Sequence, residues 1–222
     1  MPSDNVKSSV VSVDGPAAAG KTTTSLAVAE IFDMKYLESG RAYRVLAYEA
    51  LRSGVDPTDP KKMVALCSKI SRGDRVSELL GLNRYTAGEL RSLAVGRTVS
   101  KVAGIAELRR RVTNSVHIWA AGNRRSIVEG RDIGTVVFPT AVPKFYLTAS
   151  AETRARRRLA QEGSGSLKEV FEDVVRRDRA DTTRSASPLV PASDAIIIDT
   201  TELSIEQVVD RMAEACGASG LA

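Results

Sequence analysis

The stretch Gly15-Pro16-Ala17-Ala18-Ala19-Gly20-Lys21-Thr22 constrains this chain more than any other. Its spacing, G-x4-G-K-T, is that of a loop whose glycines let successive backbone N–H groups point inward at phosphate oxygens. Context decides whether such a match is real. Val10-Val11-Ser12-Val13 before it is a short β-branched run, the signal of a buried strand, and it stops at Asp14-Gly15. Thr22 to Phe32 after it reads as a helix, with Leu26, Ala29 and Ile31 among its apolar positions. Strand, glycine-rich turn and helix in that order put the loop at a helix N-terminus, where the dipole favours anions. Lys21 can then reach a transferred phosphoryl group, Thr22 suits Mg²⁺, held weakly, and Thr23 suits a phosphate oxygen.

The alternation of strands and helices continues beyond the loop. Met34 to Leu37 is a short strand stopped by Glu38-Ser39-Gly40, and Ala42 to Arg52 and Lys61 to Ile70 are helical. Ser71 to Gly88 is polar and without a clean period, and Glu89 to about Ala121 is mainly helical, with breaks expected near Gly96 and Gly104. Ser126-Ile127-Val128, Lys144-Phe145-Tyr146-Leu147 and Ala195-Ile196-Ile197-Ile198-Asp199 are further strands, the last a continuous apolar run. Ser150 can cap the helix from Ala151 to Ala160, and Gly163-Ser164-Gly165 is a flexible break. Ser166-Leu167-Lys168-Glu169 and Ser204-Ile205-Glu206-Gln207 are capping boxes that open two more helices. Strands apolar on both faces, separated by helices, predict an α/β fold: a mostly parallel sheet with helices on each side. At 222 residues the chain is expected to form a single domain.

Several function classes are disfavoured by what is missing. No apolar run approaches the roughly 18–20 residues of a membrane span, and Met1 to Ser9 lacks the apolar stretch of a signal peptide. Cys67 and Cys216 match no metal or redox spacing and read as reduced thiols in a cytosolic protein. The net charge of +5 raises nucleic acid as a partner, but aromatics are only 5% of residues, too few for base-stacking platforms. A positive cleft for small phosphate-bearing molecules explains the same excess. No guanine-reading N/T-K-x-D segment is present, which argues against a regulatory GTPase. Downstream of the loop, arginine instead recurs in three separate segments, as phosphoryl transfer between small molecules requires. His117 and Trp119 lie away from every motif and read as packing or surface residues.

Several segments together resemble the bacterial cytidylate kinase family, the CMP/dCMP kinases. They are Asp14-Gly15-Pro16 through Thr23, Ser39-Gly40-x-x-Tyr43-Arg44, and the run from Glu129-Gly130-Arg131-Asp132 to Phe138-Pro139. Arg177-Asp178, Arg184 with Ser187-Pro188-Leu189-Val190, and Leu203 to Val208 come after these in order. The resemblance implies transfer of phosphate from ATP to CMP or dCMP, with Mg²⁺, by a cytoplasmic monomer of pyrimidine nucleotide metabolism. It implies a P-loop NTPase-like core, a monophosphate-binding insertion over about 60–104 and a lid over about 154–184. On this resemblance ATP is bound by Gly15 to Thr23 with Arg154, Arg157 and Arg158, and the acceptor phosphate by Arg44, Arg131 and Arg184. Ser39 also falls on the acceptor side, and Ser100, Arg109 and Asp132 fall where cytosine is read. The catalytic set is Lys21, Arg131, Asp132, Arg158 and Arg177. Tyr43 is expected to pack beneath the site. Neither nucleic acid nor membrane is an expected partner.

The chain departs from the family pattern on the acceptor side. Glu38 and Arg41 flank Ser39-Gly40 where the family has an Asp and a small apolar residue, and Ser71 to Gly88 is shorter than the usual insertion. These departures leave open a modified pyrimidine monophosphate or another phosphorylated small molecule as acceptor. Thr22-Thr23 after Lys21 is also less familiar, but is compatible with phosphate chemistry.

Overall fold

The computed structural model describes residues 9–71, 76–82, 84–162 and 165–221. In chain order the elements are β1 (Ser9–Asp14), α1 (Lys21–Ile31), β2 (Lys35–Glu38), α2 (Gly40–Arg52) and α3 (Pro60–Ile70). Then come α4 (Val76–Leu79), α5 (Ala87–Arg91), α6 (Leu93–Ala103), α7 (Ala106–Ala121), β3 (Arg125–Glu129) and a π-helical turn (Ile133–Val137). The chain ends with β4 (Lys144–Thr148), α8 (Ala151–Glu162), α9 (Leu167–Thr183), β5 (Ile196–Asp199) and α10 (Ile205–Ala218). Two compact units result, Met1–Glu38 with Asn123–Ala222, and Ser39–Gly122.

The first unit is an α/β fold on a parallel sheet of order β2-β3-β1-β4-β5. β1 is central, and the β-branched residues that predicted a buried strand supply its core, with Val11 and Val13 fully buried. Phe145 and Leu147 of β4 and Ile127 of β3 join them in one cluster, covered by Val28 and Ala29 of α1 and Val208 and Met212 of α10. Each of these side chains other than Ala29 stabilises the fold by roughly 1.5–3 kcal/mol relative to exposure. β5 departs from expectation. Its apolar run suggested burial on both faces, yet Ile196 and Ile197 are 43% and 61% exposed and only Ile198 is buried. The reason is position, because β5 is the sheet's edge.

Since every pairing is parallel, Asp14, Glu38, Glu129 and Asp199 all end their strands on one edge of the sheet. That carboxyl edge is where open α/β sheets bind ligands. α8 and α9 pack as a pair around Ala155, Val170 and Val174. The Ser166–Glu169 box opens α9 as predicted, and Ser204–Gln207 opens α10; each cap contributes about 1 kcal/mol. The Ser150 hydroxyl accepts from the Thr153 N–H at the start of α8. Gly163 and Ser164 of the expected flexible break lie outside the described residues.

The second unit is helical, and the expected insertion at 60–104 falls within it. Leu46, Met63, Leu79, Leu80, Leu90 and Leu108 are fully buried there. α6 runs through Gly96 without the expected break and begins instead at the Ser92 cap. A mid-helix glycine costs about 1 kcal/mol, less than is gained by burying Val95, Val99 and Val102 along one face. Within Ser71 to Gly88, residues 72–75 and 83 lie outside the described residues, and the rest folds as α4, a turn and the start of α5.

Candidate active site

The phosphate loop is shaped by its backbone. Gly15 has φ +142°, and a Cβ there would sit 2.0 Å from the Leu147 carbonyl oxygen, so no other residue fits. Gly20 at φ +93° and Ala18 at φ +60° add two left-handed turns before α1. Alternating backbone hand is what turns successive N–H groups into an anion-binding concavity. The loop is backed from outside, since the Thr200 hydroxyl donates to Ala19 O at 3.1 Å. Lys21 is buried, and its Nζ donates to Pro16 O at 2.8 Å. Burial, then repulsion from Arg131, pulls its pKa down to about 7 against the pull of Glu129 and Asp14. An arriving phosphate chain reverses that balance by favouring the charged ammonium.

Thr22 stands beside a carboxylate that the motif alone did not reveal. Its hydroxyl donates to Glu129 Oε1 at 2.8 Å. Glu129 is buried at the end of β3, and Glu38 is its register partner across β2. Burial pushes the Glu129 carboxyl upward, Lys21 opposes this, and Glu38 adds to it. Thr23 is exposed on the first turn of α1.

Arg131 and Asp132 come after Glu129 on the same sheet edge. Arg131 Nε donates to Asp181 Oδ2 at 2.9 Å, and Arg184 Nη1 lies 3.6 Å from Asp181 Oδ1. Burial alone would raise the Asp181 pKa, but Arg131, Arg177 and Arg184 outweigh it and hold the carboxyl below its ordinary value. Burial works against the Arg131 charge and is overcome by Asp181. Asp132 is buried and precedes the π-helical turn, yet its side chain makes no capping bond.

The arginines of α8 and α9 divide into two groups. Arg154 and Arg157, expected on ATP phosphates, both make hydrogen bonds within the protein. Arg154 is bidentate to Asp178 at 3.0 and 2.6 Å and also donates to Ala149 O and Ala17 O. Arg157 donates to the Thr200 hydroxyl and carbonyl at 2.9 and 2.6 Å. Arg154 thus reaches the phosphate loop directly at Ala17, and Arg157 reaches it through Thr200, whose hydroxyl donates to Ala19 O. Arg158 is half-buried with Asp173 at 4.0 Å, and Arg177 is half-buried and close enough to repel the Lys21 charge.

In the second unit Ser39 is buried immediately before α2. Arg44 donates to Leu90 O at 3.0 Å. Arg109 is buried, stacks its guanidinium 5.3 Å over the buried Tyr43 ring, and donates to Ala103 O. It is thereby distinct from Arg110 and Arg111, which both pair with Glu107. Ser100 is half-buried on α6. Arg41 holds the short segment after α4, donating to Gly81 O at 2.8 Å and Tyr85 O at 2.7 Å.

The family model described as cytidylate kinase matches residues 11–217. This chain belongs to the cytidylate kinase family. Among relatives, a protein described as cytidylate kinase from Nocardia farcinica is 42% identical over 91% of each chain. One from Rhodococcus jostii is 43% identical and one from Corynebacterium glutamicum 40%, each over 91% of this chain and 92% of the other. A solved shikimate kinase from Bacteroides thetaiotaomicron aligns with a TM-score of 0.47 at 15% identity, covering 93% of this chain and 97% of that one. That likeness is too weak to argue from.

Within this cytidylate kinase frame, four acidic residues went unassigned in the sequence. Asp14, Glu129, Asp178 and Asp181 each hold a loop or an arginine of the site. A signal existed for Asp14 and Glu129, since each terminates a β-branched run that reads as a buried parallel strand. Asp178 and Asp181 carried no such mark, because only the α8–α9 pairing and the return of Arg131 reveal their partners.

Proposed function

We propose that the protein transfers the γ-phosphoryl group of ATP to CMP or dCMP, giving ADP and CDP or dCDP. The reading rests on family membership, carried by relatives described as cytidylate kinase at 40–43% identity over most of the chain. The phosphate loop with Lys21 supports ATP as donor, and Arg158 and Arg177 are the further arginines proposed to meet the transferring charge. The oxygen of the acceptor phosphate attacks the γ-phosphorus, and the bond to the leaving ADP oxygen breaks with its electron pair staying on ADP. No covalent bond to the protein is needed, so positioning and charge neutralisation supply the catalysis. Arg44, Arg131 and Arg184 are proposed for the acceptor phosphate. Asp132 is proposed to accept from the cytosine amino group, and Ser100 and Arg109 to donate to its ring acceptors. Arg154 and Arg157 serve by bracing the phosphate loop.

The Thr22 hydroxyl and the Glu129 carboxylate are hard oxygen donors of the kind Mg²⁺ takes. No cluster of three or more His, Cys, Asp or Glu suited to a metal occurs among the described residues. Thr22 and Glu129 are the residues that would hold the ion beside the phosphate loop. When bound it neutralises charge on the phosphate chain. We further read the protein as a cytoplasmic monomer of pyrimidine nucleotide metabolism, without nucleic-acid or membrane partners. Buried, free Cys67 and Cys216 support a reducing compartment. Among the described residues, no helix is long and apolar enough to cross a membrane.

A different acceptor is not favoured. Arg41, one of the three departures that raised it, is occupied with the backbone of residues 81 and 85. ADP formation measured with CMP, dCMP, UMP, dUMP, AMP and GMP tests the reading. A cytidine nucleotide is expected to lead in kcat/KM by about tenfold or more; an even response across the panel would sink it.

A further inference from the structure

Asp14 takes no part in the chemistry above, yet it is 4% exposed at the end of β1 and both of its oxygens are engaged. Oδ1 accepts from the Ile133 N–H at 2.8 Å and Oδ2 from the Gly134 N–H at 2.7 Å. These N–H groups open the π-helical turn, whose bonds run from the Val136 and Val137 N–H groups back to Asp132 O. The first N–H groups of such a turn have no partner inside it. Asp14 supplies one from a strand more than a hundred residues earlier. One step upstream, the Gly130 N–H donates to Val13 O at 2.9 Å. Gly134 itself is pressed close, as a Cβ there would lie 2.8 Å from Ser12 Oγ. The segment is thus fixed to β1 at residue 130 and again at 133 and 134, and the two residues between the fixed points are Arg131 and Asp132.

We propose that Asp14 is a positioning residue for acceptor selection, holding Arg131 and Asp132 in register with the phosphate loop that begins at Gly15. No shorter or uncharged side chain can do the same. A serine has one oxygen, and an asparagine would set an NH₂ against one of the two N–H groups. The buried charge is the consequence of needing two acceptors at one place. This inference rests on the cytidine-specific reading of the site.

Asp14→Asn, Asp132→Ala and the double variant test it, with CMP and UMP as acceptors and ATP affinity measured separately by calorimetry. For Asp14→Asn the expected result is a loss of about tenfold or more in kcat/KM for CMP and in CMP-over-UMP preference, with ATP affinity changed less than about threefold. The double variant should discriminate no worse than Asp132→Ala alone, since both changes act through one side chain. A wild-type CMP-over-UMP ratio in Asp14→Asn overturns the proposal, and so does a parallel loss of ATP affinity, which would make Asp14 a general prop of the loop. If Asp14→Asn does not fold, Asp14→Ser is measured in its place, and failure of both to fold marks Asp14 as purely structural. A wild type with no CMP preference defeats the proposed function instead. The acceptor-against-ATP split of Asp14→Asn then decides the present proposal with whichever monophosphate is used.

Discussion

Lys21 and Asp14 are buried charges of opposite sign at the two ends of one loop, and burial pushes both toward neutrality. Asp14 is raised to about 6, first by burial and also by Asp132, while the N–H groups of Gly134 and Ile133 and the Lys21 charge pull the other way. A carboxyl raised on folding stabilises the protein fully below its unfolded value, and that contribution is lost as pH rises through the folded value. At neutral pH the ionised Asp14 therefore costs about 3 kcal/mol. Asp14→Asn removes this dependence. Relative to wild type, the variant should gain about 1 kcal/mol of stability between pH 5 and pH 7.5, read from urea unfolding at the two pH values. A difference that stays constant would mean that the carboxyl titrates normally in the folded protein. Lys21→Ala belongs to the same scale. It removes the ammonium that meets the transferring phosphoryl group, so kcat should fall by about 10²–10³ or more while the melting temperature holds.

At the scale of elements, two polar braces do work that apolar packing does elsewhere. One face of α2 presents Arg41, Tyr48 and Glu49 to the segment after α4. Arg41 approaches so closely that a Cβ on Gly81 would lie 3.0 Å from its Nε and 2.9 Å from Val45 Cγ2, with φ already at +72°. Gly81→Ala should therefore destabilise by about 1–3 kcal/mol, and Arg41→Ala should speed hydrogen exchange between residues 81 and 90. The second brace is the Arg154–Asp178 pair between α8 and α9. Asp178→Ala leaves a guanidinium only 6% exposed without its carboxylate. Unfolding free energy should drop by about 3 kcal/mol, against near-zero for the exposed Arg110–Glu107 pair. Equal effects from the two pairs would contradict the assignment of Arg154 to bracing.

For the molecule as a whole, much of the plan was legible because it is written in local patterns. The strand before Gly15, the helix after Lys21 and both capping boxes need only neighbouring residues, and all appear where expected. The exposure of β5 was not legible, since an apolar run does not say whether its strand lies at the centre or the edge. The same limit hid the contacts of Arg154 and Arg157, whose partners Asp178 and Thr200 are brought to them by the fold. A family motif marks which arginines recur but not which backbone they hold. Phosphate is expected to move from ATP to a cytidine nucleotide and not to water. Phosphorus NMR of the wild-type protein with ATP, CMP and Mg²⁺ tests it directly. ADP and CDP should accumulate in equal amounts without inorganic phosphate; inorganic phosphate in place of CDP, or ATP consumption indifferent to CMP, would rule out cytidylate kinase activity.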